Sequence, residues 1–94
     1  MTGEPGDGAV TVRYWAAARA AAGRSSDEVR PGSLAVVLDE VLALHQDDTR
    51  FAKVLGMCSI LVGERPVGAA DHASVDVRAG DTVELLPPFA GGAA

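Results

Sequence analysis

Near the C-terminus, residues 79–88 read AGDTVELLPP, and this stretch decides how the chain folds. Apolar and polar side chains alternate over residues 82–86, which is the period-two pattern of a half-buried β-strand. The Ala-Gly-Asp run before it is typical of a turn. Pro87 and Pro88 end the strand because proline has no N–H to donate to a ladder of hydrogen bonds. The folded part of the chain therefore closes with an apolar strand.

Working back from this strand, residues 10–15 alternate in the same way and predict a first strand. The alanine-rich run over residues 16–22 predicts a short helix, and Gly23 suits its C-terminal cap. The other predicted elements are, in order, a strand over 25–30, a turn at 31–32, a long helix from Leu34 to about residue 45, a helical turn over 50–55 that Gly56 stops, a strand over 59–62, a turn at 63–65 and a short edge strand around Val75 and Val77.

The long helix gives the most regular signal in the chain. Ser33 is a good N-cap, because its hydroxyl can accept a bond from a free backbone N–H of the first turn. Apolar residues then recur at the spacing of one buried helical face: Leu34, Val37, Leu38, Val41 and Leu42. We expect this face to cover the sheet.

One main helix and four or five strands predict an α+β domain. The first and last strands are the most apolar, so we expect them side by side in the middle of a mixed sheet. This sheet packs on one main helix, with a short helix after the first strand, which is the order of the β-grasp or ubiquitin-like fold. We predict a flexible leader over residues 1–8, the β-grasp domain over 9–88 and a flexible tail over 89–94.

The composition excludes several classes of protein. The 94 residues carry a net charge of −5, which argues against a nucleic-acid surface. This charge either suits a basic docking cleft on a partner or only keeps the domain in solution. With a single cysteine no disulfide can form within the chain. No apolar run is long enough to span a membrane and the N-terminus does not look like a signal peptide, so we expect a cytoplasmic protein.

The remaining reactive side chains favour structural roles. Cys58 lies beside an apolar strand, and we interpret it as a small core residue rather than a sulfur relay. His45 and His72 are far apart in sequence and belong to no cluster with metal-ligand spacing, so we predict no metal site. Asp47 and Asp48 are better explained as helix caps than as catalytic acids.

Two segments carry a resemblance to a known family. Val12-Arg13-Tyr14-Trp15-Ala16, leading into the alanine-rich helix, resembles the opening of the small subunit of molybdopterin synthase, the MoaD family. The second segment is residues 79–92, where a Gly-Asp turn, an apolar strand, Pro-Pro, two further residues and Gly-Gly follow in the order of that family. The chain thus resembles the MoaD/ThiS group of ubiquitin-like sulfur carriers from about residue 9 to residue 92.

The resemblance implies a function for the tail. An E1-like enzyme would use ATP to adenylate Gly92, and sulfur would then replace the adenylate to give a thiocarboxylate. The tail would enter the large subunit of molybdopterin synthase, in an expected heterotetramer, and deliver sulfur to the pyranopterin precursor of the molybdenum cofactor. The chain would bind no cofactor permanently and would supply no catalytic acid or base. Gly91 and Gly92 can pass a narrow channel because glycine has no Cβ.

The residues at the base of the tail predict partner contacts. Pro87 and Pro88 would stiffen it, and Phe89, followed by Ala90, would anchor in a partner's groove. By strand alternation Leu61 and Leu86 point away from Val62 and Leu85, so one of the two sets must face away from the long helix. We predict that Leu61, Leu86 and Phe89 form an apolar patch that contacts the large subunit or the activating enzyme.

One departure from the family pattern changes the status of the tail. The chain continues past Gly92 to Ala93 and Ala94, so the terminal carboxylate belongs to Ala94. A protease removes the two alanines, or they were introduced by engineering, or this chain binds partners without carrying sulfur. Two other functions also stay open: a sulfur carrier for thiamine or another sulfurated metabolite, and a non-catalytic binding module or protein modifier.

Overall fold

A computed structural model describes residues 8–88 of the chain. The predicted tail, and the predicted leader apart from Gly8, lie outside the described residues. The elements are β1 (Val10–Tyr14), α1 (Ala16–Ala22), β2 (Ser26–Val29), β3 (Gly32–Ser33), α2 (Leu34–Leu44), α3 (Thr49–Met57), β4 (Ser59–Val62), β5 (Arg65–Pro66), a 3₁₀ turn (His72–Ser74), β6 (Asp76–Val77) and β7 (Thr82–Leu86).

The main sheet has five strands in the order β2-β1-β7-β4-β5. β1 and β7 pair in parallel, and the other neighbours pair antiparallel. The two strands that the sequence predicts for the middle of the sheet are therefore adjacent there. Strand β7, which leads to the tail, runs between β1 and β4. The predicted α+β, ubiquitin-like fold with a mixed sheet is confirmed.

Helix α2 covers one face of this sheet with the predicted stripe. Leu34, Val37, Leu38 and Val41 are buried, and Leu42 packs against the core from its edge. The Ser33 hydroxyl accepts a hydrogen bond from the backbone N–H of Val36 at 3.2 Å, as an N-cap should.

Two local predictions are wrong. Helix α3 passes Gly56 and ends at Met57. Three side chains of α3 pack in the core, and this outweighs the roughly 1 kcal/mol that a glycine costs inside a helix. The predicted turn at 31–32 is also incomplete, because Gly32 belongs to β3, which pairs with β6 in a separate two-stranded sheet. The predicted short strand around Val75 and Val77 is this β6, so it does not extend the main sheet.

The start of α3 agrees with the sequence. Asp48 caps it, and its Oδ1 accepts from the backbone N–H groups of Arg50 at 3.0 Å and Phe51 at 3.3 Å. Across residues 8–88 no helix has the length and apolar character that crossing a membrane requires.

Candidate functional site

The base of the tail lies at the end of the central strand β7. Leu86, its last residue, pairs with Ser59 at the start of β4. Pro87 is buried and Pro88 is exposed, and these two are the last described residues. The described chain therefore ends at the middle of one edge of the sheet. The site residues predicted beyond this point, Phe89, Ala90, Gly91 and Gly92, lie outside the described residues.

Leu61 and Leu86 lie on the face of the sheet that points away from the core. Their neighbours along the strands, Ile60 and Leu85, are buried, and the residues opposite them across the β4–β7 pair are Glu84 and Ser59. Both leucines are half-buried, and neither is sealed under α2. The structure thus places them on the outer face, and their contact with a partner remains a prediction.

Trp15 is the large exposed side chain beside this pair, and sequence reasoning did not single it out. It follows β1, and its backbone N–H donates to Leu85 O at 3.2 Å, which places it next to Leu86. The indole is 41% exposed. A lone tryptophan at the end of a predicted strand was a usable signal, because a large amphipathic ring at a strand end often marks an interface.

Two charged side chains hold the Trp15 indole on the outer face. Its Nε1–H donates to Glu84 Oε1 at 2.8 Å, and the Arg13 guanidinium stands 5.0 Å from the ring centroid. Arg13 and Glu84 are directly opposite in the parallel β1–β7 pair, so the strand register brings them together. A cation over an indole face is attractive by about 0.5–1 kcal/mol at an exposed site. These two contacts hold the ring against the outer face of the sheet.

The backbone after Trp15 turns sharply. Ala16 has φ of +50°, in the left-handed region that costs an L-residue about 1–2 kcal/mol. Trp15 serves as the N-cap position of α1 and accepts from the N–H of Ala18 at 2.9 Å. This turn lets β1 end beside β7 and directs the indole outward, while Tyr14 points inward.

A polar cluster lies on the inner side of the sheet, under Trp15. Asp27 Oδ2 accepts from the Tyr14 hydroxyl at 2.6 Å and pairs with His45 Nε2 at 2.8 Å, while Oδ1 accepts from Arg24 Nε at 2.6 Å. The His45 ring stacks on Phe51, with 4.3 Å between centroids. The cluster thus joins β1, β2, the end of α2 and the start of α3.

The cluster shifts two pKa values in opposite directions. Burial by itself raises the pKa of Asp27, but hydrogen bonds from Arg24, Tyr14 and His45 favour the carboxylate, and the net pKa lies below its ordinary value. Burial, with the hydrogen bond to Asp27, raises the pKa of the Tyr14 phenol. At neutral pH the hydrogen bonds therefore favour Asp27 as the carboxylate and Tyr14 as the neutral phenol, and the cluster ties the four elements together as a structural junction.

Cys58 and the histidines offer no reactive centre in the described part of the chain. Burial raises the pKa of the Cys58 thiol to about 11, and its Sγ donates to Val54 O at 3.3 Å. A protonated, half-buried thiol is a poor nucleophile, which agrees with the predicted structural role. Within residues 8–88 no group of three or more His, Cys, Asp or Glu side chains stands close enough to hold a metal ion.

The comparison with family models decides the relationship. The model described as the ThiS family matches residues 12–92. The chain belongs to the ThiS family. A comparison with curated proteins finds no match.

Solved structures with the same fold include several ThiS-like proteins. SAMP1 from Haloferax volcanii has a TM-score of 0.73 at 22% identity and covers 90% of this chain and 100% of its own. Subunit 1 of the molybdopterin-converting factor from Helicobacter pylori 26695 was solved in complex with subunit 2. It has a TM-score of 0.59 at 24% identity and covers 89% of this chain and 99% of its own. Urm1 from Trypanosoma brucei has a TM-score of 0.60 at 16% identity and covers 90% of this chain and 96% of its own. At these identities the likeness supports the fold.

Proposed function

We propose that this ThiS-family chain is the sulfur-carrying small subunit of a molybdopterin synthase, with the sulfur held on Gly92. One observation carries the proposal: the family match runs to Gly92 and stops before Ala93 and Ala94. The family pattern therefore ends at the residue whose carboxylate would be activated. Membership of a ubiquitin-like sulfur-carrier family supports the chemistry, and the Pro-Pro-Phe-Ala-Gly-Gly ending favours the molybdenum branch.

The geometry at the base of the tail suits delivery of a terminal group into a partner. Pro88 is the last described residue, and an extended chain advances at most about 3.3–3.6 Å per residue. Four residues lead from Pro88 to Gly92, so the chain is long enough to place Gly92 up to about 14 Å from the sheet edge, inside a cleft of a partner.

The proposed chemistry needs no general acid or base from this chain. After removal of the alanines by a protease, the Gly92 carboxylate attacks the α-phosphorus of ATP on an E1-like enzyme and releases pyrophosphate. A sulfur donor then displaces AMP and leaves a thiocarboxylate. In the large subunit the thiocarboxylate sulfur displaces an oxygen group of the pyranopterin precursor, and water then hydrolyses the acyl–sulfur bond, which leaves the sulfur on the precursor and returns the carboxylate. ATP belongs to the activating enzyme, and the chain would work in the cytoplasm in a heterotetramer with two large subunits.

The outer face of the sheet is the proposed docking surface for these partners. Leu61, Leu86 and Trp15 present apolar surface on the same side of the sheet, next to the strand end from which the tail leaves. Phe89 follows three residues after Leu86 and would extend this surface. Aromatic residues at the centre of an interface carry a large share of binding energy, so we expect Trp15 to contribute most.

Mass spectrometry tests the function directly. Chains ending at Gly92, at Ala94 and at Gly91 are each incubated with ATP, a sulfur donor and a purified E1-like enzyme from the same organism. We expect only the chain ending at Gly92 to gain the mass difference between sulfur and oxygen. If that chain stays unmodified while the same enzyme adenylates a second carrier protein, used as a positive control, the sulfur-carrier proposal is wrong.

The acceptor separates the remaining alternatives. A thiocarboxylated chain that binds the large subunit of molybdopterin synthase and converts the pyranopterin precursor supports the molybdenum branch. Sulfur that passes only into a thiazole precursor supports the thiamine branch. An amide bond between Gly92 and lysines of other proteins would make the chain a protein modifier.

A further inference from the structure

The outward side of helix α3 carries two cations and an uncovered methionine. Arg50, Lys53 and Met57 follow one another at the spacing i, i+3, i+7, which puts them on one stripe of the helix. All three are exposed, and Met57 exposes 60% of its surface, more than the other exposed large hydrophobic residues in the described part of the chain. The opposite side of α3 faces the core with Phe51, Val54 and Leu55. We call the outward set the α3 stripe.

The α3 stripe is a basic spot on an acidic protein. The chain has a net charge of −5, yet α3 and α1, which pack against each other, contain no acidic residue, and α1 adds Arg19. Within residues 8–88 the ion pairs are those of Asp27 with Arg24 and His45, so the cations of the stripe are not held in one. Two aspartates, Asp47 and Asp48, precede α3, and Asp48 caps it, so their negative charges lie at the Arg50 end of the stripe and not at the Met57 end.

The stripe ends close to the base of the tail. Met57 is followed by Cys58 and then by Ser59, which pairs with Leu86. Two Cα steps of about 3.8 Å and one strand spacing of about 5 Å put Met57 within roughly 13 Å of Leu86. A partner that receives the tail therefore meets the stripe at the rim of its cleft.

We propose that the α3 stripe docks on a protein partner that presents acidic side chains around an apolar spot beside its tail-binding cleft. The inference rests on the proposed function in one respect, because it takes this partner to be the adenylating enzyme. Charge complementarity is the argument. An acidic rim repels most of this acidic chain and attracts the α3 side, so it selects approach directions that bring the base of the tail to the cleft. Met57 supplies an adaptable apolar contact between the two charges and the tail.

The chemistry of the stripe does not fit a nucleic acid. A polyanion is bound by neutralising several phosphates, and the stripe offers two cations in a chain of net charge −5. A protein surface with two or three carboxylates and an apolar spot matches it better.

The test compares two double charge reversals of equal size. Arg50→Glu/Lys53→Glu changes the α3 stripe, and Arg65→Glu/Arg78→Glu is the matched control, because both arginines are exposed and line an open groove beside the β4–β5 hairpin to which no residue of α3 contributes. Association of the full 94-residue chain with the purified adenylating enzyme is measured at low and at high salt. Circular dichroism checks that each variant is folded.

We expect the stripe variant to associate about tenfold or more slowly at low salt, with a rate that rises with salt because the reversed charges are repelled by the acidic rim, and the control to stay within about twofold of the wild type. Met57→Ala should instead speed dissociation a few-fold at every salt concentration. Equal effects of the two double variants, no effect of either, or no binding of the wild type would overturn the proposal. Tight binding of a labelled RNA oligonucleotide that only the stripe variant loses would overturn it as well.

The outcome is separable from that of the proposed function. Slow association of the stripe variant, with no thiocarboxylate formed on the chain ending at Gly92, would support the docking surface and reject sulfur carriage. Normal association of the stripe variant, with thiocarboxylate formed, would reject the docking surface and keep sulfur carriage.

Discussion

The carboxylate of Asp27 is the most informative single group to change, because it accepts three hydrogen bonds at the junction of two strands and two helices. Asp27→Asn keeps the shape and removes the charge. The amide oxygen can still face Tyr14 and His45, but the amide NH₂ then points at the Arg24 guanidinium, and two donors oppose each other.

The loss of stability follows from these contacts. A hydrogen bond to a charged group contributes about 1.5–3 kcal/mol, against about 0.5–1.5 kcal/mol for a neutral pair, so the bonds from Tyr14 and His45 lose about 1 kcal/mol each. The bond from Arg24, whose side chain is 50% exposed, adds about 0–1 kcal/mol. We expect the free energy of unfolding to fall by about 2–3 kcal/mol and Tm to fall by roughly 10–20 °C.

The pH dependence gives the prediction a second, independent check. The pKa of Asp27 is lower in the folded state than in the unfolded chain. Its contribution to stability is therefore fully present above the unfolded pKa of about 4, and it is lost as the pH falls through the folded value. The difference between wild type and Asp27→Asn should be large at neutral pH and should shrink in acid.

Thermal and urea unfolding, followed by circular dichroism at neutral and acid pH, measure both effects. Glu28→Gln is the matched control, because it removes the same charge from the next residue of β2, on the exposed face. If Asp27→Asn is no more destabilising than Glu28→Gln at neutral pH, the cluster is not the junction that the hydrogen bonds indicate.

Three further predictions concern the strand end and its surroundings. Ala16→Gly should raise the free energy of unfolding by up to about 1 kcal/mol by removing the left-handed strain, whereas Ala17→Gly should lower it by about 0.5–1 kcal/mol in urea titrations. Alkylation of Cys58 by iodoacetamide should be slow at neutral pH and should rise about tenfold per pH unit toward its pKa of about 11; a fast reaction at pH 7 would contradict the buried thiol. Leu86→Asp should weaken binding of the large subunit at least tenfold without unfolding the domain, as followed by the fluorescence of Trp15, the chain's only tryptophan; unchanged affinity would remove the outer face from the interface.

The strands and helices could be predicted because each depends on a local pattern. The alternation over residues 82–86 shows which side of β7 is apolar, and the apolar spacing that begins at Leu34 shows the same for α2. The structure places both apolar sides in the core. The end of α3 could not be predicted in this way. Gly56 disfavours a helix locally, and only the packing of Phe51, Val54 and Leu55 against the core decides that the helix continues.

The candidate site, too, could be predicted only in part. The sequence alone determined the Gly91-Gly92 pair, the prolines that stop β7 and the family to which the chain belongs, because these are read from the order of residues along the chain. Tertiary structure decided the contact of Trp15 with Glu84, which are 69 residues apart, and the meeting of Tyr14, Asp27 and His45. Such contacts depend on the register of β1 against β7 and on where α2 ends over the sheet. No local pattern encodes those distances, since they result from packing the inner face of the sheet against the helices, which fixes where each element lies.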